Sequence, residues 1–134
     1  MKENTNTQNL AMNYKDLNEL SKAIHHDNVD RGFYDDYRQI GTLLMLVVSE
    51  LSEALEADRK NRHCSVVEYA LTPDGKLDID KFKEKVKDTF EDEIADAFIR
   101  LFDLCGYLNI DIVKHIALKL EYNKTRGYKH GKNY

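Results

Sequence analysis

Proline occurs once in 134 residues and glycine only six times. Turn formers this scarce, beside many Leu, Ala, Glu and Lys residues, point to an all-α protein. Cysteine occurs twice, at Cys64 and Cys105, too few for a disulfide framework or a zinc site. Cys105 continues an apolar stripe and reads as a buried thiol behaving as a small hydrophobe. No apolar run approaches the ~20 residues needed to cross a bilayer. The polar start MKENTNTQN also has no signal-peptide h-region. The expectation is a cytoplasmic protein with no membrane partner. The net charge of −4 argues against general nucleic-acid binding.

The composition that remains is 42% hydrophobic and 33% charged, enough for one domain with its own core. Four helical segments are predicted. The first runs from Tyr14 to His26 with Leu17, Leu20 and Ile24 at helical spacing, and a polar link from Asp27 to Gly32 follows. The second runs from Tyr37 to Lys60, with Leu44, Val48, Leu51 and Leu55 as a core-facing stripe. Residues 61–79 break the pattern. Thr72-Pro73-Asp74-Gly75 is a turn, and Val66–Tyr69 and Lys76–Ile79 flank it as a candidate small hairpin.

The third segment runs from Asp80, as N-cap, to Cys105. Its stripe is Phe90, Ile94, Phe98, Leu101 and Cys105, with Gly106 as the C-terminal stop. The fourth begins near Asn109 or Asp111, carries Ile112, Ile116 and Leu120, and reaches Lys124. The predicted architecture is a four- to five-helix bundle with a 61–79 insertion, one domain over residues 1–134 with flexible ends at 1–9 and 127–134. This much apolar stripe would leave a lone bundle partly wet, so a homodimer or homotetramer is expected.

Two stretches nearly repeat each other. Glu50-Leu51-Ser52-Glu53-Ala54 and Glu93-Ile94-Ala95-Asp96-Ala97 each set two acids three positions apart in an apolar run. Positions three apart on a helix lie about 60° apart on one face. Glu50 and Glu53 border the apolar stripe of the second segment, and Glu93 and Asp96 stand at the same offset on the third. Ser49, Ser52, Glu56, Glu91 and Asp92 are read as outward-facing. If the two stripes pack antiparallel, four carboxylates converge. Such a group cannot stay ionised together without raised pKa values or a cation. All-oxygen ligation favours Mg²⁺ or Mn²⁺ over zinc. A single acid pair is usually a solvated patch; the pairing of two beside apolar stripes favours a metal site. A di-iron carboxylate bundle needs Glu-x-x-His motifs, and none of the five histidines follows a glutamate at that spacing.

Residues 119–134 hold five cations against Glu121. Lys119, Asn123 and Arg126 are spaced four then three, which aligns them on a continued fourth helix. A lysine, an amide and an arginine on one stripe suit phosphate oxygens, although such stripes are commonly solvated surface. Tyr128, Lys129, His130 and Lys132 follow as further donors. Phe33 and Tyr34 lie in the link after the first helix, placed either to stack on a base or to plug the bundle's end.

The ordered pattern Glu50-x-x-Glu53, Glu93-x-x-Asp96 and Lys119-x-x-x-Asn123-x-x-Arg126 resembles the all-α, MazG-like nucleoside triphosphate pyrophosphohydrolase superfamily, which includes helical dUTPases and dCTP pyrophosphatases. The resemblance spans residues 37–126. It implies an oligomeric helical bundle, with Mg²⁺ on Glu50, Glu53, Glu93 and Asp96. It also implies phosphate or substrate contacts from Lys119, Asn123 and Arg126, and hydrolysis between the α- and β-phosphates. Glu50 or Glu53 would then take a proton from the attacking water. Two departures stand out. The family often carries another glutamate where this chain has Ser49, and the two acid pairs are farther apart than usual. The alternative is a non-catalytic helical protein that binds nucleotides or assembles through its stripes.

Overall fold

The computed structural model describes residues 16–127. Tyr14 and the predicted donors from Tyr128 onward lie outside the described residues. Among those described there are five α-helices and no strand: α1 Leu17–Asp30, α2 Ile40–Arg59, α3 Ile79–Lys85, α4 Phe90–Tyr107 and α5 Ile112–Lys124. The all-α prediction therefore holds. No described helix is long and apolar enough to cross a membrane.

Side-chain caps explain the boundaries. Asp16 accepts from the Glu19 N–H at the start of α1, and Asp111 accepts from Lys114 N–H at the start of α5. α1 runs past His26 to Asp30, so four of the six residues of the predicted link are helical, and the chain reverses at Gly32 (φ 82°). The single helix predicted from Asp80 to Cys105 is instead two. Asp78, not Asp80, caps α3 by accepting from Lys81 N–H. The chain then breaks at Asp88, which has a left-handed φ of 60°, and Thr89 caps α4 by accepting from Asp92 N–H. Val86 pulls the break inward, packing with Cys64, Ala70 and Phe82 in a small core of its own.

The predicted hairpin reduces to a turn. Gly75 (φ 79°) closes it, Leu71 and Leu77 form an isolated antiparallel bridge, and Val67–Ala70 is a 3₁₀-helix rather than strand. Gly106 is the second-last residue of α4, which ends one residue later at Tyr107, and the left-handed residue beyond the helix is Asn109 (φ 53°). A Cβ there would meet the Ser21 carbonyl oxygen at 2.4 Å and His25 Cβ at 2.7 Å. Its missing side chain lets α1 and α4 touch, and Ser21 is buried at that crossing.

Helix α4 is central, packing against both α1 and α2, while α5 packs on α1. The face that α2 turns inward is not the predicted stripe. Val47, Glu50, Ala54 and Ala57 are buried, whereas Leu44, Val48, Leu51 and Leu55 are each 46–49% exposed. On α4, Glu93, Ala97 and Leu104 are buried, while Phe98 and Leu101 are exposed. At about 100° per residue the two faces lie roughly a quarter-turn apart. The alanine faces let the helices approach closely, which carries the acids into the contact and leaves the larger side chains outside.

Candidate metal centre

Three of the four acids of the two motifs come together at the α2–α4 contact, with Asp96 standing outside the close group. Glu50, Glu53 and Glu93 each offer a carboxylate oxygen within 4.8 Å of the others. Glu50 is 6% and Glu93 5% exposed. Among the described residues, no hydrogen bond or ion pair satisfies the Glu93 carboxylate. Burial, then the charges of Glu53, Asp96, Glu50 and Asp92, push Glu93 up to about 7. Asp96, one turn further along α4, is also raised, first by burial and then by Asp92 and Glu50. A buried acid with no donor or cation is costly. Only oxygen donors face one another here, so the set fits a hard divalent cation.

A second trio adjoins the first. Asp88, Asp92 and Glu93 also place one oxygen each within 4.8 Å of one another, so Glu93 belongs to both. Asp92 was expected to face outward; instead it is half-buried and its Oδ2 accepts from Asp88 N–H at 3.0 Å. Glu91, also expected outside, ties the insertion to α4. It accepts from Cys64 N–H at 2.7 Å and lies 3.1 Å from His63 Nδ1, and the Cys64 bond holds it below the usual carboxylate range. The insertion is further fixed by Phe90 N–H donating to the Arg62 carbonyl at 2.9 Å. Glu56 keeps its outward reading, paired with Lys60.

Arg100 is a participant that motif spacing overlooked. Its Nε donates to Glu50 Oε1 at 2.5 Å, so Glu50 already has one cationic partner. Arg100 follows Asp96 by four and Glu93 by seven, the signal by which the helical repeat assigns it to the same face.

Phe33 and Tyr34 border a cavity of about 340 Å³ beside Asp96 and Arg100. Phe33 is half-exposed, whereas Tyr34 donates to Asp103 Oδ2 at 2.7 Å. Burial first, and then that bond, raise Tyr34 far above the usual phenol range. His25 Nδ1 lies 2.9 Å from the other Asp103 oxygen, and the rings of His25, Tyr34 and Tyr107 pack together. Tyr34 therefore walls this cavity as part of the α1–α4 contact, leaving Phe33 with the freer ring.

Lys119, Asn123 and Arg126 are not drawn to the acids by helix packing, because α5 rests on α1. The helix also ends at Lys124, so Arg126 lies beyond it rather than on a continued turn. Lys119 and Arg126 still gather at one place, over the Tyr122 ring at 4.9 and 6.0 Å. Asn123 Oδ1 is buried without a partner among the described residues. No protein-family model, curated protein or solved structure matches this chain.

Proposed function

We propose that the protein is a cytoplasmic, Mg²⁺-dependent nucleoside triphosphate pyrophosphohydrolase of the MazG-like kind, with Mn²⁺ as an alternative ion. One observation carries the reading: Glu93, buried and unpartnered, shares its oxygens' surroundings with Glu50 and Glu53. Glu50, Glu53, Glu93 and Asp96 would hold the ion. When bound, it would neutralise phosphate charge and acidify a water. A carboxylate of Glu50 or Glu53 would accept a proton from the attacking water as the water oxygen bonds to the α-phosphorus. The bridging P–O bond breaks, and its electron pair leaves with pyrophosphate. The half-exposed Phe33 offers a ring to the base, with Tyr34 as the fixed wall behind it.

The protomer would work as a homodimer or homotetramer. The exposed Leu44, Val48, Leu51 and Leu55 face supports this, because such a stripe on a lone chain is unusual. Assembly also gives Lys119, Asn123 and Arg126 a way to reach phosphates, from a second copy.

The test incubates the protein with Mg²⁺ and a panel of ribo- and deoxyribonucleoside triphosphates while pyrophosphate release is followed. Release from at least one is expected, and Glu53→Ala should lose it. A competing non-catalytic reading draws on the Arg100–Glu50 pair, which neutralises one acid without metal. That reading wins if nucleotides bind but no pyrophosphate appears at high protein concentration.

A further inference from the structure

His63 stands where three parts of the chain meet. It lies at the start of the insertion, and its ring sits between Asp58 in the last turn of α2 and Glu91 in the first turn of α4. Nδ1 is 3.1 Å from Glu91 Oε1, and Nε2 is 3.1 Å from Asp58 Oδ1. An ionised carboxylate only accepts, so each ring nitrogen must carry a hydrogen to bond its partner. A neutral imidazole carries one such hydrogen. Both bonds therefore exist together only when the ring is an imidazolium.

The ring belongs to a seam that closes the insertion onto the bundle. Arg62 Nη2 donates to the Asp88 carbonyl, Phe90 N–H to the Arg62 carbonyl, and Cys64 N–H to Glu91 Oε2. The Phe90 ring packs on the imidazole, with centroids 5.3 Å apart. Asp58 and Glu91 are the charged groups that face His63. The nearby cations are occupied elsewhere, Arg62 on the Asp88 carbonyl and Lys60 on Glu56. The donors of the other bonds are peptide and guanidinium groups, which keep their protons through neutral pH. His63 is the donor that does not.

We propose that His63 is a pH-sensitive latch on the insertion: as an imidazolium it joins α2 to α4 and fastens residues 61–79, and as a neutral ring it lets go of one acid and frees the insertion to open. Asp58 is the acid released, because the Cys64 N–H keeps Glu91 in place. The latch does not depend on what the acid row binds or hydrolyses. Hydrogen bonding to Glu91 first, and then to Asp58, lifts His63 above its ordinary 6.5. The fastening is therefore whole below about pH 6.5 and is lost as pH rises through the raised value. The ring is 38% exposed, so water screens both pairs and the result is local opening rather than unfolding.

Nitrogen NMR of the imidazole and amide hydrogen exchange test the latch from about pH 5.5 to about pH 8.5. Exchange is corrected for its intrinsic pH dependence and read at the hydrogen-bonded amides of Cys64, Thr72 and Asp78. Both ring nitrogens should carry hydrogen at the acid end. Opening of the insertion should then rise severalfold through the His63 midpoint, by about tenfold for each pH unit that separates this midpoint from that of a released ring. Asp58→Asn removes an exposed carboxylate and should lower the His63 midpoint and the exchange step together. That joint shift assigns the step to His63 rather than to Glu93. His63→Gln should leave the insertion open at every pH, with no step. A His63 midpoint at or below the ordinary value overturns the latch, as does exchange that stays flat across the titration. A step that keeps its position in Asp58→Asn overturns it too.

Discussion

At the residue scale, Glu93 sets function against stability. Its carboxyl is pushed up to about 7 by burial and by neighbouring acids. The folded state therefore holds this proton more tightly than the unfolded chain, whose glutamate titrates near the ordinary ~4.3. Between those values the unfolded chain loses its proton first, so metal-free stability falls as pH rises from about 4.5 to about 7. Thermal melts without divalent ions should show a midpoint lower by roughly 5 °C or more at pH 7.5 than at pH 5. Mg²⁺ should restore most of the loss at pH 7.5 and do little at pH 5. His63, raised mainly by Glu91, adds a loss of the same sign above pH 6.5. Glu93→Gln separates the two: it should flatten the lower part of the profile, stabilise the metal-free protein at pH 7.5 and abolish the Mg²⁺ effect. A profile unchanged by this substitution would show that Glu93 is not the titrating group. Gly106→Ala tests packing alone. A new Cβ 2.4 Å from the Ser21 carbonyl has backbone on one side and cannot be absorbed by a rotamer change. A loss of about 2–4 kcal/mol in denaturant unfolding is expected, in line with or above ordinary overpacking.

At the scale of elements, the insertion between α2 and α4 is a clamped appendage. Cys64, Ala70, Val86 and Phe82 give it an apolar centre, while Glu91 ties its near end by one backbone and one histidine contact. Glu91→Ala leaves the Cys64 N–H without its acceptor, a loss of about 1–3 kcal/mol. Limited proteolysis should then cut residues 65–76 faster, while the Glu53–Glu93 contact keeps its Mn²⁺ affinity. Cleavage at the wild-type rate would assign the fastening to Phe82 and Val86 instead. The helices themselves were legible in the sequence, because apolar spacing and capping acids such as Asp111 are local signals. The break at Asp88 was not. Lys87-Asp88-Thr89 interrupts a continuous helical pattern without proline or glycine, and the break is held by the Thr89 cap, the Asp88 N–H bond to Asp92 and the burial of Val86 in the appendage core. The same limit applies to the site. Spacing alone put Glu50, Glu53, Glu93 and Asp96 on matched faces, but Asp88 and Arg62 lie near them through chain reversals that no periodicity encodes.

For the whole molecule, the placement of apolar surface matters most. The periodicity of α2 correctly marks Leu44, Val48, Leu51 and Leu55 as one face, yet that face is turned away from α4 and half-exposed. Periodicity reports that a stripe must be covered; it carries no information on whether its cover comes from the same chain. The inward face instead consists of Val47, Glu50, Ala54 and Ala57, a face whose apolar members are small and which sets Glu50 against Glu93. A protomer built this way has weak internal cohesion and a large unsatisfied outer face. Phe98 and Leu101 on α4 are likewise exposed. A second copy covering both helices would shelter this surface, and full burial of each such side chain is worth about 1.5–3 kcal/mol. Light scattering after size exclusion should therefore return at least twice the 15.6 kDa of the chain. Leu51→Glu should shift the mass to that of one chain and lower the melting temperature by more than 5 °C. Because Leu51 lies about 100° from Glu50 and about 160° from Glu53 around α2, the same variant also reports where the phosphate half of the site comes from. If Lys119, Asn123 and Arg126 serve from a second copy, dissociation should remove pyrophosphate release while leaving Mn²⁺ bound. A monomeric Leu51→Glu that keeps full turnover would place every working phosphate contact within one chain.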